Sequence, residues 1–155
     1  MRPLLAALIL LPLGACVVIP IGPPADTGDP APVGTVDGLG QLLNGERTAQ
    51  GLSAVAPDSR LAAAAQAHAE DMQARRYFSH DTPSGQTAGQ RIAAAGYSAC
   101  LSAENIAFGG STDTQVMTSW MESPGHRANI LLPGVTAYGV GHAGSYWVLD
   151  LAKPC

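Results

Sequence analysis

Residues 120–131 read WMESPGHRANIL, and the reading of this stretch decides how the rest of the chain is understood. An amphipathic helix reaching Trp120 and Met121 runs into Ser123, Pro124 and Gly125. Proline disfavours helical geometry in the residue before it, and glycine admits backbone that other residues resist. His126, Arg127 and Asn129 follow at once on a new turn. A histidine on so sharp a corner is held, and its companions must come from elsewhere in the chain.

Working back from the corner, Thr112 and Gln115 have capping-box form, which predicts the start of the helix that carries Val116, Met117 and Trp120 inward. Val36, Leu39, Leu42 and Leu43 recur at spacings of three and four, predicting a helix over 36–50 that Gly51 ends. After a turn through Pro57, Asp58 or Ser59 caps a second helix to about Arg76, with Leu61, Ala65, His68 and Met72 on one stripe. Thr87 to Ala95 reads as a third short helix stopped by Gly96. Apolar alternation over Ala103 to Phe108, closed by Gly109 and Gly110, predicts a strand. Beyond the corner, 137–142 and 146–152 form two strands joined by Ala143, Gly144 and Ser145, a length that suits a hairpin. Four helices and three strands, with the helices mostly before the hairpin, argue for an α+β fold on an antiparallel sheet.

The N-terminus reads as an export signal. Arg2 gives a positive start, Leu4 to Leu13 an apolar run, and Leu13-Gly14-Ala15 small residues before Cys16, an order resembling the lipobox of bacterial lipoproteins. The expectation is a signal peptide over 1–15, lipid on Cys16, a Pro- and Gly-rich tether over 16–35 and one folded domain over 36–155. The alternative is a membrane-spanning anchor, which Pro12, Gly14 and Pro20 interrupt. With Cys16 on lipid, Cys100 and Cys155 remain for a disulfide in an oxidising compartment, the alternative being two free buried thiols. Such a bridge closes a loop of about fifty residues, with a model stabilisation of about 4 kcal/mol. The formal net charge of −4 argues against a nucleic-acid partner and offers no basic patch for anionic lipid. Membrane attachment would therefore come through the acyl chains on Cys16, and the expected localisation is the bacterial cell envelope, or secretion if Cys16 carries no lipid.

Four side chains stand out for chemistry: His80 at a helix exit, Glu104 at a strand start, Glu122 beside the corner and His126 on it. Two imidazoles with a carboxylate are the set from which a zinc site with an open position is built, and equally a polar network that orders loops. Sharper readings fail. His68-Ala69-Glu70-Asp71 lacks the second histidine of a zincin helix, Gly96 to Cys100 has Cys where a nucleophile elbow needs glycine, and Gly139-Val140-Gly141 opens no helix. His68 reads as a packed core histidine, His142 is uncommitted, and Trp120 and Trp147 read as core or cleft wall.

The ordered set LNGERTAQGL, FSH at 78–80, AENIAFG at 103–109, WMESPGHRANIL and YGVGHAGSYWVLDLA resembles the bacterial branch of the CAP superfamily. That superfamily takes in cysteine-rich secretory proteins, insect venom antigens and plant pathogenesis-related proteins. The resemblance covers about residues 36–155. It implies an α-β-α sandwich, with a three-stranded antiparallel sheet between helices and a cleft carrying two His and two Glu. In some members the histidines bind zinc. Carried over, the cleft residues are His80, Glu104 and His126, with Asn129 matching the polar residue after the second histidine. In the animal and plant branch the second glutamate sits three residues after the tryptophan, where this chain has Ser123, and Glu122 stands one position early.

The resemblance implies sterol, fatty-acid, protease, signalling or antimicrobial roles without a uniting reaction, and no activated nucleophile is recognisable. The expected function is a lipid-anchored, monomeric, extracytoplasmic domain. Its cleft of His80, Glu104, His126 and Asn129 would bind a small molecule, lipid, envelope ligand or divalent metal, with zinc on His80 and His126. The alternatives are a zinc-dependent hydrolase of an envelope peptide or polymer with Glu104 as base, and a structural or adhesive protein with an idle cleft.

Overall fold

The computed structural model describes residues 36–155. The expected signal segment 1–15 and the lipidated Cys16 with its tether to residue 35 lie outside the described residues.

Helix α1 (Val36–Ala49) buries Leu39 and Leu43 and stops before Gly51, whose positive φ of 74° reverses the chain. Two residues of strand β1 (Ala56–Pro57) follow where the sequence suggests only a turn. Proline fits there because β1 is an edge strand. Helix α2 (Ser59–Arg75) begins on Asp58, whose carboxylate accepts from Arg60 N at 2.9 Å, and ends on Arg76 in left-handed geometry. Its stripe of Leu61, Ala64, Ala65, His68, Ala69 and Met72 is buried. Helix α3 (Ala88–Ala94) starts on a complete capping box between Thr87 and Gln90. Strand β2 (Ala99–Phe108) is longer than the alternation predicts, and α4 (Asp113–Glu122) begins on Thr112 as expected.

Past the corner the new turn proves to be a complete short helix, α5 (Pro124–Ile130), with proline in its first turn, where the missing N–H has no partner to lose. Strands β3 (Ala137–Ala143) and β4 (Tyr146–Pro154) form the hairpin. The expected three antiparallel strands are present as β2, β4 and β3, and β1 adds a fourth, parallel to β3, in the order β1-β3-β4-β2. Among the described residues, five helices and four strands thus replace the expected four and three. Both additions are too short for a periodicity signal, since α5 has seven residues and β1 two.

The helices cover both faces of the sheet. Leu39, Leu43, Val116, Trp120 and Ile130 pack with Trp147, Leu149 and Leu151 on one face. Ala65, Ala69 and Met72 pack with Val148 and Ile106 on the other. Because β4 is covered on both sides, it reads as a nearly unbroken apolar run. Helix α2 approaches the sheet so closely that a Cβ at Gly139 would overlap the backbone of Leu61 and Ala62, and one at Gly141 the backbone of Ala65 and Gln66.

The corner that opens the sequence reading seals the free edge of β2. Trp120 Nε1 donates to Ile106 O at 3.1 Å and Asn129 Nδ2 to Glu104 O at 3.1 Å, so two outward carbonyls of the edge strand are satisfied. Arg47, almost fully buried, fastens this layer by donating from Nη1 to Ile130 O at 2.8 Å and Leu132 O at 3.0 Å. Cys100 and Cys155 form the expected disulfide, Cα atoms 4.8 Å apart, tying the C-terminus to the start of β2.

Candidate functional site: a histidine and glutamate cleft along the edge strand

Glu104 is the centre of the site. Its side chain, in the middle of β2, is only 3% exposed, and both carboxylate oxygens are engaged. Oε1 lies 2.8 Å from His80 Nδ1, and Oε2 accepts from Arg91 Nη2 at 2.5 Å. A buried charge survives folding only when paired and hydrogen-bonded, and the Arg91 guanidinium and the His80 ring meet that need here.

His80 stands on the loop after α2 with its ring 54% exposed. The hydrogen bond to Glu104 raises its pKa above the ordinary imidazole value, more than burial opposes it. Arg91 also holds the backbone of this loop, donating from Nη1 to His80 O at 2.8 Å and Gln86 O at 3.1 Å. Beneath it His68 Nε2 lies 2.9 Å from Ser79 O, and burial lowers the pKa of that imidazole. His68 is the packed core histidine expected from its stripe.

His126 comes from α5, half-buried, with its ring centroid 6.5 Å from that of Trp120. Its carbonyl accepts from Asn105 Nδ2 at 3.0 Å, which anchors the corner to β2. Burial lowers its pKa, and the charge of His80 adds to that, so the two imidazoles sit within electrostatic reach. Asn129 gives its amide to β2, to Glu104 O and to Asn105 Oδ1 at 2.9 Å, and thereby sets the height of α5. Glu122 is exposed at the end of α4 and makes no hydrogen bond or ion pair among the described residues. His142 is half-buried, stacked on Trp147 at 3.7 Å between centroids, with Nε2 2.8 Å from Gly144 O.

Sequence reasoning missed two residues here. Arg91 lies on a short helix whose seven residues give no clear face. Asp150 pairs in register with Glu104 across β2 and β4, is 1% exposed, and has an Oδ1 without a hydrogen-bond partner. The signal was present as an acid between Leu149 and Leu151 in an apolar strand, since Asp is almost never fully buried without a reason. Burial first, and then the charge of Glu104 beside it, raise its pKa well above the usual carboxylate range. The sign follows. An unfolded Asp150 releases its proton above about pH 4, whereas the folded chain retains it, so this residue subtracts stability as pH rises from there. Asp150→Asn should therefore be more stable than the parent at neutral pH, with the advantage shrinking toward about pH 4. Urea midpoints at the two pH values measure it, and an advantage independent of pH would refute the assignment.

For a metal, the atom left to the cleft on His80 is Nε2, because Nδ1 is held by Glu104. That carboxylate–histidine pairing is the outer-shell arrangement that orients metal-binding imidazoles. Among the described residues no three His, Cys, Asp or Glu side chains converge on one point. The donors present do not fit a closed structural zinc site, which needs four protein ligands.

An α-β-α sandwich, with helices on both faces of the sheet, defines the class of protein. The chain belongs to the CAP family, described as the cysteine-rich secretory protein family, whose model matches residues 41–150. It is 39% identical over 109 residues to the uncharacterized protein YkwD of Bacillus subtilis, covering 69% of this chain and 42% of that one. A crystal structure of an extracellular protein containing a SCP domain from Bacillus anthracis superposes with a TM-score of 0.74 at 32% identity, covering 76% of this chain and 40% of the other. An outer surface protein of Borrelia burgdorferi shares the fold, with a TM-score of 0.71 at 22% identity over 77% of this chain and 92% of its own. The chain spans less than half the length of the curated relatives it matches.

Proposed function

We propose that the chain is a non-enzymatic binding domain displayed at a bacterial cell envelope, with His80 and His126 taking a divalent cation or a polar ligand in the cleft. The observation that carries this reading is the engagement of both oxygens of Glu104, one by His80 and one by Arg91. A general base needs a carboxylate oxygen within hydrogen-bond reach of the proton it takes, and each oxygen of Glu104 is already engaged by a cleft-side partner in a side chain that is only 3% exposed. It acts as the group that orients His80, and Asn129 sets α5 and with it His126. That engagement favours an orienting role for Glu104 over the proton-accepting role the hydrolase alternative asks of it.

Export is supported by the signal-like N-terminus, by a disulfide suited to an oxidising compartment, and by relatives described as extracellular or outer surface proteins. No helix among the described residues is long and apolar enough to cross a membrane. The small residues before Cys16 support attachment through lipid on that cysteine.

Zinc titration followed by calorimetry tests the cation form. The parent should take up about one equivalent near neutral pH, and His80→Ala and His126→Ala should each abolish it. Glu104→Gln should weaken uptake about 10–100-fold by loosening the orientation of His80. Uptake indifferent to either histidine sinks the cation form.

A further inference from the structure

Phe78 and Phe108 are the exposed large apolar side chains among the described residues, at 51% and 62%. They come from different elements, Phe78 from the loop after α2 and Phe108 from the last position of β2, yet their ring centroids lie 6.2 Å apart. Tyr146, the first residue of β4, packs edge-on against Phe108 at 4.8 Å. Three rings brought together from three elements thus form an apolar patch that the fold leaves uncovered. Such patches mark contacts with a protein or with a membrane.

The path of α1 points to the membrane. Its start lies against the start of α4, where a Cβ on Gly38 would meet the Asp113 carboxylate, and α4 begins five residues after Phe108. Its last turn reaches the other end of β2, since Arg47 holds the carbonyl of Leu132 and Gly134 lies beside Leu101. Helix α1 therefore runs opposite to β2, and the chain enters the domain at the end of the sheet that carries the rings. A bilayer that holds Cys16 is tied to this same end by a chain spanning at most about 70 Å. Phe and Tyr suit the boundary between headgroups and acyl chains, where rings leave water and a phenol stays wet. We propose that Phe78, Phe108 and Tyr146 form a bilayer-contact surface that seats the domain on the membrane its N-terminus is tied to. In the cell this rests on the reading of Cys16 as the lipid site. Glu104 stands four residues along β2 from Phe108, so seating on the rings holds the cleft about 13 Å above them, close over the headgroups.

The test supplies the anchor chemically. Cys100 and Cys155 are bridged, which leaves Cys16 of the full chain, made in a membrane-free extract, as the thiol to couple to maleimide lipid in brominated phosphatidylcholine vesicles. Phe108→Trp puts a reporter in the patch, and Lys153→Trp puts one at an exposed position on the opposite end of β4. Trp120 and Trp147 are buried and common to every variant, so quenching is read against the parent. Phe108→Trp should lose most of its added fluorescence to the bromolipid, and Lys153→Trp should keep its own. Phe78→Asp in the Phe108→Trp background, with an unchanged melting temperature because the site is exposed, should restore the fluorescence. Equal quenching of the two reporters, or quenching that survives Phe78→Asp, overturns the proposal. An unquenched Phe108→Trp whose uncoupled chain sediments as a Phe78-dependent dimer also overturns it, because a second copy then covers the patch. The mass of chain recovered from cell membranes is a separate readout. An unmodified Cys16 there overturns the anchoring, and with it the seating in the cell, whatever the reporters show.

Discussion

Gly139→Ala should cost about 3 kcal/mol or more, the upper end of overpacking penalties, although it adds one methyl group. Gly139 lies on β3 under α2, and its new Cβ would overlap the backbone of Leu61 and Ala62. Backbone cannot rotate away as the end of a flexible side chain can, so either α2 lifts or β3 bends. Lifting α2 opens the packing of Leu61, Ala65 and Ala69 against the sheet, which removes burial across much of one face. Gly141→Ala meets the same obstacle one turn of α2 further on, at Ala65 and Gln66. The double variant should not fold, because a domain of this size is stable by only about 5–15 kcal/mol. Gly89→Ala is the control, since nothing lies within 4 Å of a Cβ there, and in helix α3 it should stabilise by about 0.5–1 kcal/mol. Urea denaturation of the three single variants decides it, and a Gly139→Ala midpoint equal to that of the parent would show that α2 is not seated on this strand.

Arg91→Met should cost about 3–5 kcal/mol, the penalty for removing one partner of a buried ion pair. The two side chains are 7% and 3% exposed, so solvent screens the interaction little. The loss leaves Glu104 buried beside Asp150 with the half-exposed His80 ring as its hydrogen-bond partner, and it removes the donor that holds the carbonyl of His80. Arg91→Met combined with Glu104→Gln should recover a large part of the loss, because no carboxylate is then stranded. The recovery appears as a positive coupling energy in a double-mutant cycle on denaturant midpoints. A single-variant cost below about 1 kcal/mol, the range of exposed pairs, would mean that Arg91 does not balance Glu104.

The fold was legible wherever its signal is local. The stripe on α2, the capping residue Thr112, and the loop between β3 and β4 each lie within a few residues, and the structure has all of them. The cysteine pairing followed from counting and compartment, without geometry. The sequence reading fell short where an element is too brief for a period, as with β1 and α5. It also fell short where a polar residue takes its meaning from a distant partner. Asp150 and Arg91 belong to the second group, and so does Arg47, whose buried guanidinium reaches carbonyls at 130 and 132.

The sequence by itself determined four of the helices, the hairpin, the disulfide and the family resemblance. Periodicity, caps and residue order are properties of the chain before it folds. Only the tertiary structure decided what the polar residues do to one another. It gave Glu104 to both His80 and Arg91, set Asp150 beside it by strand register, and turned the WMESPGHRANIL corner into the seal on the edge of β2. The physical reason is desolvation. A carboxylate, guanidinium or carbonyl must find a partner once water is removed, and which partner it finds depends on what packing brings within about 3 Å.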